Sequence, residues 1–191
     1  WVSYSVNKED MWISRIPVPV EINASAHADD DFSKNKSIAE LTDWNIYSPV
    51  WAPVSLEDQW LKLQDKDPFD YAKVERKIPA SKELRVSFDL KAGQNNKGTL
   101  QIEFLDENGI ACSRMELTDD GIFRLKGGSR FANMMKYEAG KVYHVEAVLS
   151  TVDRNIQVYV DGKRVGLRMF YAPVAAVERI VFRTGVPRTF P

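Results

Sequence analysis

The chain has 191 residues, a formal net charge of -1 and 44% hydrophobic residues. This length fits one β-sandwich, and the hydrophobic content is sufficient for a buried core, which excludes a disordered chain. The near-neutral charge argues against nucleic acid as a partner, and no apolar stretch has the roughly 20 residues of a membrane span. The single cysteine, Cys112, excludes an intramolecular disulfide, and its apolar, alternating surroundings predict a small buried side chain.

The first 20 residues differ in character from the rest of the chain. The chain opens on Trp1 inside a strand-like run, which predicts a fragment of a longer protein. Residues 14–20 carry two prolines, which suit an edge strand or a linker. We therefore expect a terminal segment at residues 1–20 and one domain at residues 21–191, in which the polar residues 23–36 form a loop.

Two short segments follow that loop. Residues 37–44 are expected to form a short helix. Residues 55–63 fit a helix through Leu56, Trp60 and Leu63, and a strand through Leu61 and Leu63. Of these two alternatives we favour the strand.

From Leu84 onward the chain alternates between apolar and polar residues, as half-buried strands do. Turn residues rich in Gly, Asn and Asp separate the runs, for example at residues 93–98 and 106–109. A run from residue 142 to 149 is followed by a second run that ends at Asp161-Gly162, a pair that suits a type I′ hairpin turn. Many short strands at this spacing predict an all-β antiparallel sandwich.

The hairpin over residues 141–163 carries a family resemblance. Its second half, Ile-Gln-Val-Tyr-Val-Asp-Gly-Lys at residues 156–163, resembles the penultimate hairpin of concanavalin A-like and laminin-G-like domains. As a pattern of strands, the resemblance covers roughly residues 40–185. It implies a two-sheet jelly-roll sandwich and says little about the ligand.

The opening segment carries a second resemblance. Residues 4–19 resemble the last propeller strand of sialidase-like, BNR-repeat proteins of Bacteroidetes, in which a propeller precedes a jelly roll. This resemblance implies an upstream propeller in the same chain, a secreted, periplasmic or cell-surface protein, and a polysaccharide or other glycan as partner. Any catalytic blades of the propeller would lie outside this chain.

Four aromatic residues, Trp44, Tyr47, Trp51 and Trp60, crowd one region of the sequence. An exposed aromatic ring stacks on the flat C–H face of a sugar, so the group is a candidate carbohydrate-binding platform. The competing interpretation, which we favour, is that these rings pack inside the sandwich or at its ends.

Asp65, Asp67 and Asp70 have the oxygen-rich spacing of a Ca²⁺ site, although the glycine and terminal glutamate of an EF-hand are missing. Turn-forming aspartates around Pro68 are the favoured alternative. The sequence has two histidines. We expect the imidazole of His144 to be packed or hydrogen-bonded, and His27 lacks a second histidine at the spacing that a metal site needs.

No catalytic motif accompanies these candidates. The Glu-x-Asp-x-x-Glu strand of concanavalin A-like glucanases is missing, and Glu9 and Asp10 point to opposite faces of a strand. Together with the resemblances, this predicts a non-catalytic accessory domain of a secreted glycan-degrading protein, for which carbohydrate binding is the candidate role. Two alternatives stay open: glycoside hydrolase or polysaccharide lyase activity in the longer protein, and a purely structural domain.

Overall fold

A computed structural model describes the chain at residues 2–6, 10–14 and 28–185. Within these ranges, two 3₁₀ turns lie at Phe32–Lys34 and Ile38–Glu40. The strands are β1 (Val2–Val6), β2 (Asp10–Ser14), β3 (Trp44–Tyr47), β4 (Val54–Glu57), β5 (Trp60–Leu63), β6 (Lys73–Ser81), β7 (Glu83–Lys91), β8 (Leu100–Leu105), β9 (Ala111–Leu117), β10 (Ile122–Gly127), β11 (Arg130–Lys136), β12 (Val142–Ser150), β13 (Asn155–Val160), β14 (Lys163–Met169) and β15 (Val177–Thr184). Among the described residues, no helix has the length and apolar character needed to cross a bilayer.

Two antiparallel sheets form the body of the fold. The larger has seven strands in the order β11-β10-β9-β8-β15-β6-β3, and the smaller has four in the order β14-β13-β12-β7. β15 pairs with β6 on one side and with β8 on the other, so the last strand closes the middle of the larger sheet. The predicted all-β, antiparallel jelly-roll sandwich is confirmed.

The core lies between the two sheets because each strand turns its apolar residues to one side. From the larger sheet, Ile102, Phe104 and Met115 are fully buried, and Val145 and Val158 meet them from the smaller sheet. Cys112 also lies in this core, as the sequence predicts, and burial raises the pKa of its thiol to about 12.

The larger sheet extends beyond the smaller one, and the β4–β5 hairpin covers the overhang. Leu61 and Leu63 of β5 pack with Val74 of β6 in a second apolar cluster. Phe182 of β15 belongs to both clusters, and its ring meets that of Phe88 edge-on at 5.1 Å. The hairpin therefore continues the layer of the four-stranded sheet.

Several local predictions are confirmed. Asp161 and Gly162 have φ angles of 50° and 77°, the positive values that a type I′ turn requires. Residues 55–63 are extended, as favoured, although a turn at Asp58 and Gln59 divides them into two strands. Residues 28–36 form the predicted loop apart from the 3₁₀ turn at Phe32–Lys34.

The predicted helix at residues 37–44 is wrong. Only Ile38–Glu40 forms one 3₁₀ turn, and Trp44 begins strand β3. A segment this short does not recover the cost of helix nucleation, whereas Trp44–Tyr47 gains a full set of partners along β6. The proposed boundary near residue 20 lies outside the described residues.

Candidate functional site

The outward side of the seven-stranded sheet carries polar side chains in transverse rows. Strand register places two rows across all seven strands, and with about 4.8 Å between strands each row spans about 29 Å. The first row is Tyr47, Lys73, Arg183, Gln101, Glu116, Arg124 and Asn133. The second row is Asn45, Glu75, Val181, Glu103, Arg114, Lys126 and Phe131. A third, shorter row is Lys77, Arg179, Leu105 and Ala111. We call this surface the polar face.

Gln101 lies at the centre of the polar face. Although it points away from the core, its side chain is only 1% exposed. Both the Nε2 and the Oε1 atoms of its amide are buried without a hydrogen-bond partner. Buried polar groups are nearly always paired, so an amide with an unused donor and an unused acceptor marks a place where a water or a ligand can bind once a covering side chain shifts.

Ion pairs order the charged side chains around Gln101. The Nε atom of Arg114 donates to Glu103 at 2.7 Å, and Arg124 contacts Glu116. Glu75 accepts from Lys73 at 2.9 Å and from Arg179 at 3.3 Å. Every carboxylate in the three rows is therefore engaged by a basic side chain, an arrangement that suits binding and orientation rather than proton transfer.

Aromatic rings contact the polar face at its β3 edge and again at Lys126 of β10. Near the β3 edge, Tyr47 lies 5.1 Å from Tyr71, and the guanidinium of Arg183 lies 3.9 Å from the centre of the Tyr71 ring. Toward the β10 side, the Nζ atom of Lys126 lies 4.3 Å from the centre of the Tyr171 ring. Burial raises the pKa of Tyr171 to about 12, so its hydroxyl stays neutral.

The four aromatic residues proposed from sequence do not form one platform. Trp44 packs between Phe32 and Phe182 at the second apolar cluster, with its indole nitrogen buried. Trp60 alternates with the inward-facing Leu61 of the β4–β5 hairpin and thus points away from that cluster, whereas Tyr47 is on the outward side of the seven-stranded sheet.

The remaining two aromatic candidates are accessible. Tyr47 is 45% exposed and borders the polar face, and its hydroxyl donates to Asp70 at 3.1 Å. Trp51 is 67% exposed and precedes β4. A carbohydrate-binding role for either residue stays a prediction.

The three aspartates proposed for Ca²⁺ act in turns. Asp65 accepts from the backbone N–H of Asp67, and Asp67 accepts from that of Phe69. Asp70 accepts from the N–H of Tyr71. Across residues 28–185, no group of three or more His, Cys, Asp or Glu side chains is arranged to hold a metal ion. The geometry favours the turn-forming interpretation.

The other candidates are resolved in the same way. His144 is hydrogen-bonded, as predicted, through its Nδ1 atom to Asp89 at 2.8 Å. Arg179 and Arg183 are both half-buried on the polar face. His27 and Glu9 lie outside the described residues.

The sequence contains a signal for the polar face that single-residue reasoning misses. Four strands each carry two or three polar residues at alternate, outward positions: Gln101 and Glu103, Arg114 and Glu116, Arg124 and Lys126, and Lys73, Glu75 and Lys77. β15 adds Arg179 and Arg183, one on either side of Val181. One such pair is ordinary on a solvated strand, whereas four of them on the same sheet are not.

Comparison with known proteins gives the family. The family model described as "Sialidase-like, CBM domain", where CBM stands for carbohydrate-binding module, matches residues 44–191. A solved structure named "Sialidase" is 88% identical, with a TM-score of 0.91; the alignment covers 99% of this chain and 18% of that one. No curated protein sequence gives a significant match.

More distant structures share the fold alone. The apo Crh5 transglycosylase has a TM-score of 0.58 at 10% identity, covering 82% of this chain and 67% of that one. The carbohydrate recognition domain of Emp47p has a TM-score of 0.55 at 11% identity, covering 81% and 83%. The matched region contains the whole polar face, and the chain belongs to the sialidase-like carbohydrate-binding-module domain family.

Proposed function

We propose that the chain binds a glycan on the polar face and has no catalytic role of its own. The observation that carries this proposal is the buried, unpartnered amide of Gln101 at the centre of a row that crosses seven strands. A sugar hydroxyl is both a donor and an acceptor, so two vicinal hydroxyls satisfy the amide nitrogen and the amide oxygen together. The aromatic rings of Tyr47 and Tyr71 supply apolar area for a sugar ring at one end.

The length of the row supports an oligosaccharide or polysaccharide over a single sugar. At about 29 Å, it offers room for several sugar rings side by side. The side chains along it are held by ion pairs, so little conformational entropy is lost when a ligand binds. A preorganised polar surface with rings at its border is typical of a site that recognises hydroxyl-rich ligands.

The longer protein is also part of the proposal. The chain spans about a fifth of the sialidase that it resembles. We infer a secreted or cell-surface glycoside hydrolase in which an upstream propeller performs the chemistry and this module holds the enzyme on its polysaccharide. The accessory role rests on the family, and on the engagement of every carboxylate in the three rows by a basic side chain.

Affinity electrophoresis through gels that contain polysaccharides, followed by calorimetry with the retarded ligands, tests the proposal. Gln101→Met keeps the side-chain volume and removes both amide groups, so we expect at least about a tenfold loss of affinity. Gln157→Met, on the outer face of the other sheet, is the matched control and is expected to bind as the wild type does.

Two results would contradict the assignment of the glycan site to the polar face. Equal binding by Gln101→Met and the wild type would remove the polar face from the proposal. Loss of binding in Trp51→Ala alone would move the site to the exposed aromatic residues. If the chain binds no glycan in a broad screen, the structural-domain alternative replaces the proposal.

A further inference from the structure

The polar face is strongly basic, whereas the chain as a whole carries a formal net charge of -1. Within the three rows, seven basic side chains accompany three acidic ones. The basic residues are Lys73, Lys77, Arg114, Arg124, Lys126, Arg179 and Arg183, and the acidic ones are Glu75, Glu103 and Glu116. The negative charge of the molecule therefore lies elsewhere, and the polar face attracts anions.

Internal pairing leaves part of this positive charge unused. The three glutamates pair with Lys73, Arg114, Arg124 and Arg179, and no salt bridge within the described residues engages Lys77, Lys126 or Arg183. Two of these three cations lie over tyrosine rings, Arg183 over Tyr71 and Lys126 over Tyr171. A ring holds a cation in place without neutralising it, so both charges stay available to a ligand.

Arg183 is directly beside the unpartnered amide. Strand register makes Arg183 and Gln101 neighbours in the first row, and the Nε atom of Arg183 is itself buried without a partner. The planar guanidinium and the amide NH₂ group together form a set of donors that matches the oxygens of a carboxylate or a sulfate. Lys126 lies three strands away, about 14 Å across the sheet.

We propose that the glycan bound by the polar face is acidic, and that one carboxylate or sulfate group binds between Arg183 and the Gln101 amide. Lys126 supplies a second cationic contact, so a chain with repeated acidic groups binds more tightly than one with a single group. This inference rests on the proposed function, since it names the chemical class of ligand for the same site.

Matched pairs of ligands test the inference in the whole chain. Polygalacturonate and its methyl ester share a backbone and differ in carboxylate charge; chondroitin with and without sulfate tests the other acid group; 3′-sialyllactose and lactose test a single terminal carboxylate. We expect the acidic member of at least one pair to bind about tenfold more tightly in calorimetry. That preference should shrink as salt is raised from about 0.05 to 0.5 M.

The outcomes separate this inference from the proposed function. Equal affinity for the acidic and neutral members would overturn the inference and leave glycan binding intact. Binding to none of them, nor to any other glycan, would overturn both. Preference for the carboxylated or the sulfated polymer would identify which acid group the site takes.

Variants locate the acidic contact. Arg183→Gln is expected to lose about tenfold in affinity for the acidic ligand, so the ratio between the affinities for the acidic and the neutral partner should fall toward one. Arg164→Gln makes the same change on an exposed position of β14 in the other sheet and is expected to bind as the wild type does. If Arg183→Gln fails to fold by circular dichroism, Lys126→Gln takes its place with the same expectation. Wild-type selectivity in the folded variants would overturn the assignment.

Discussion

Replacement of Gln101 by methionine should make the free protein more stable. In the folded chain both polar atoms of this amide are buried and unpaired. An unsatisfied buried donor or acceptor costs about 1–3 kcal/mol. Removal of the amide nitrogen and the amide oxygen should therefore raise the free energy of unfolding by about 2 kcal/mol, if each costs the lower value of that range. Methionine has a similar volume and flexibility, so the replacement neither opens a cavity nor forces a clash.

Thermal unfolding followed by circular dichroism measures this gain. For a protein of this size, each 1 kcal/mol moves the unfolding midpoint by about 2–4 °C, so we expect Gln101→Met to unfold about 4–8 °C above the wild type. Gln157→Met is the control: its amide oxygen accepts from Tyr159 at 3.0 Å, and the loss of this bond should lower stability slightly.

The direction in which Gln101→Met shifts the unfolding midpoint tests whether the amide is unsatisfied in the folded protein. A midpoint at or below that of the wild type would mean that the amide is satisfied in the folded protein, and the reasoning that makes it a binding group would fail. A higher midpoint together with lost glycan affinity would show that the protein keeps a destabilising side chain for its ligand.

Further predictions concern the core, a turn and the cysteine. Phe104→Ala should lower the free energy of unfolding, measured in urea, by about 3–5 kcal/mol, because the ring is fully buried. Phe69 is 78% exposed, so Phe69→Ala should change the same free energy by less than about 0.5 kcal/mol. Gly162→Ala, at a φ of 77°, should cost about 1 kcal/mol in the same assay. Burial raises the pKa of Cys112 from 9.0 to about 12, so native protein should resist iodoacetamide at pH 8. The stability contributed by the neutral thiol should be lost as pH rises through this interval, and Cys112→Ala should flatten that decline.

The sequence predicts the fold best for strands in which apolar and polar side chains alternate without interruption. β7 and β12 to β13 show one apolar face and one polar face, and the hairpin turn at Asp161 follows from its residue types. β6 escapes such reasoning because Arg76, only 4% exposed, faces inward and pairs with Asp30 and Asp43. A charged residue at an inward position hides the alternation from a reading of hydrophobicity alone.

The candidate site is harder to predict because it depends on register. Gln101 and Arg183 are distant in sequence and become neighbours only when β15 inserts between β6 and β8. Nothing local to either residue indicates that pairing. The aromatic candidates were visible in the sequence, but the side of the sheet to which each ring points depends on the placement of β3 and of the β4–β5 hairpin.

Phe182 joins the two apolar clusters, and this affects how the domain comes apart. If the β4–β5 hairpin detached alone, one side of a ring that the main core also needs would be exposed to water, so partial opening would weaken both clusters at once. Amide hydrogens of β5 and β8 should accordingly exchange with similar protection in the native protein, as members of one cooperative unit.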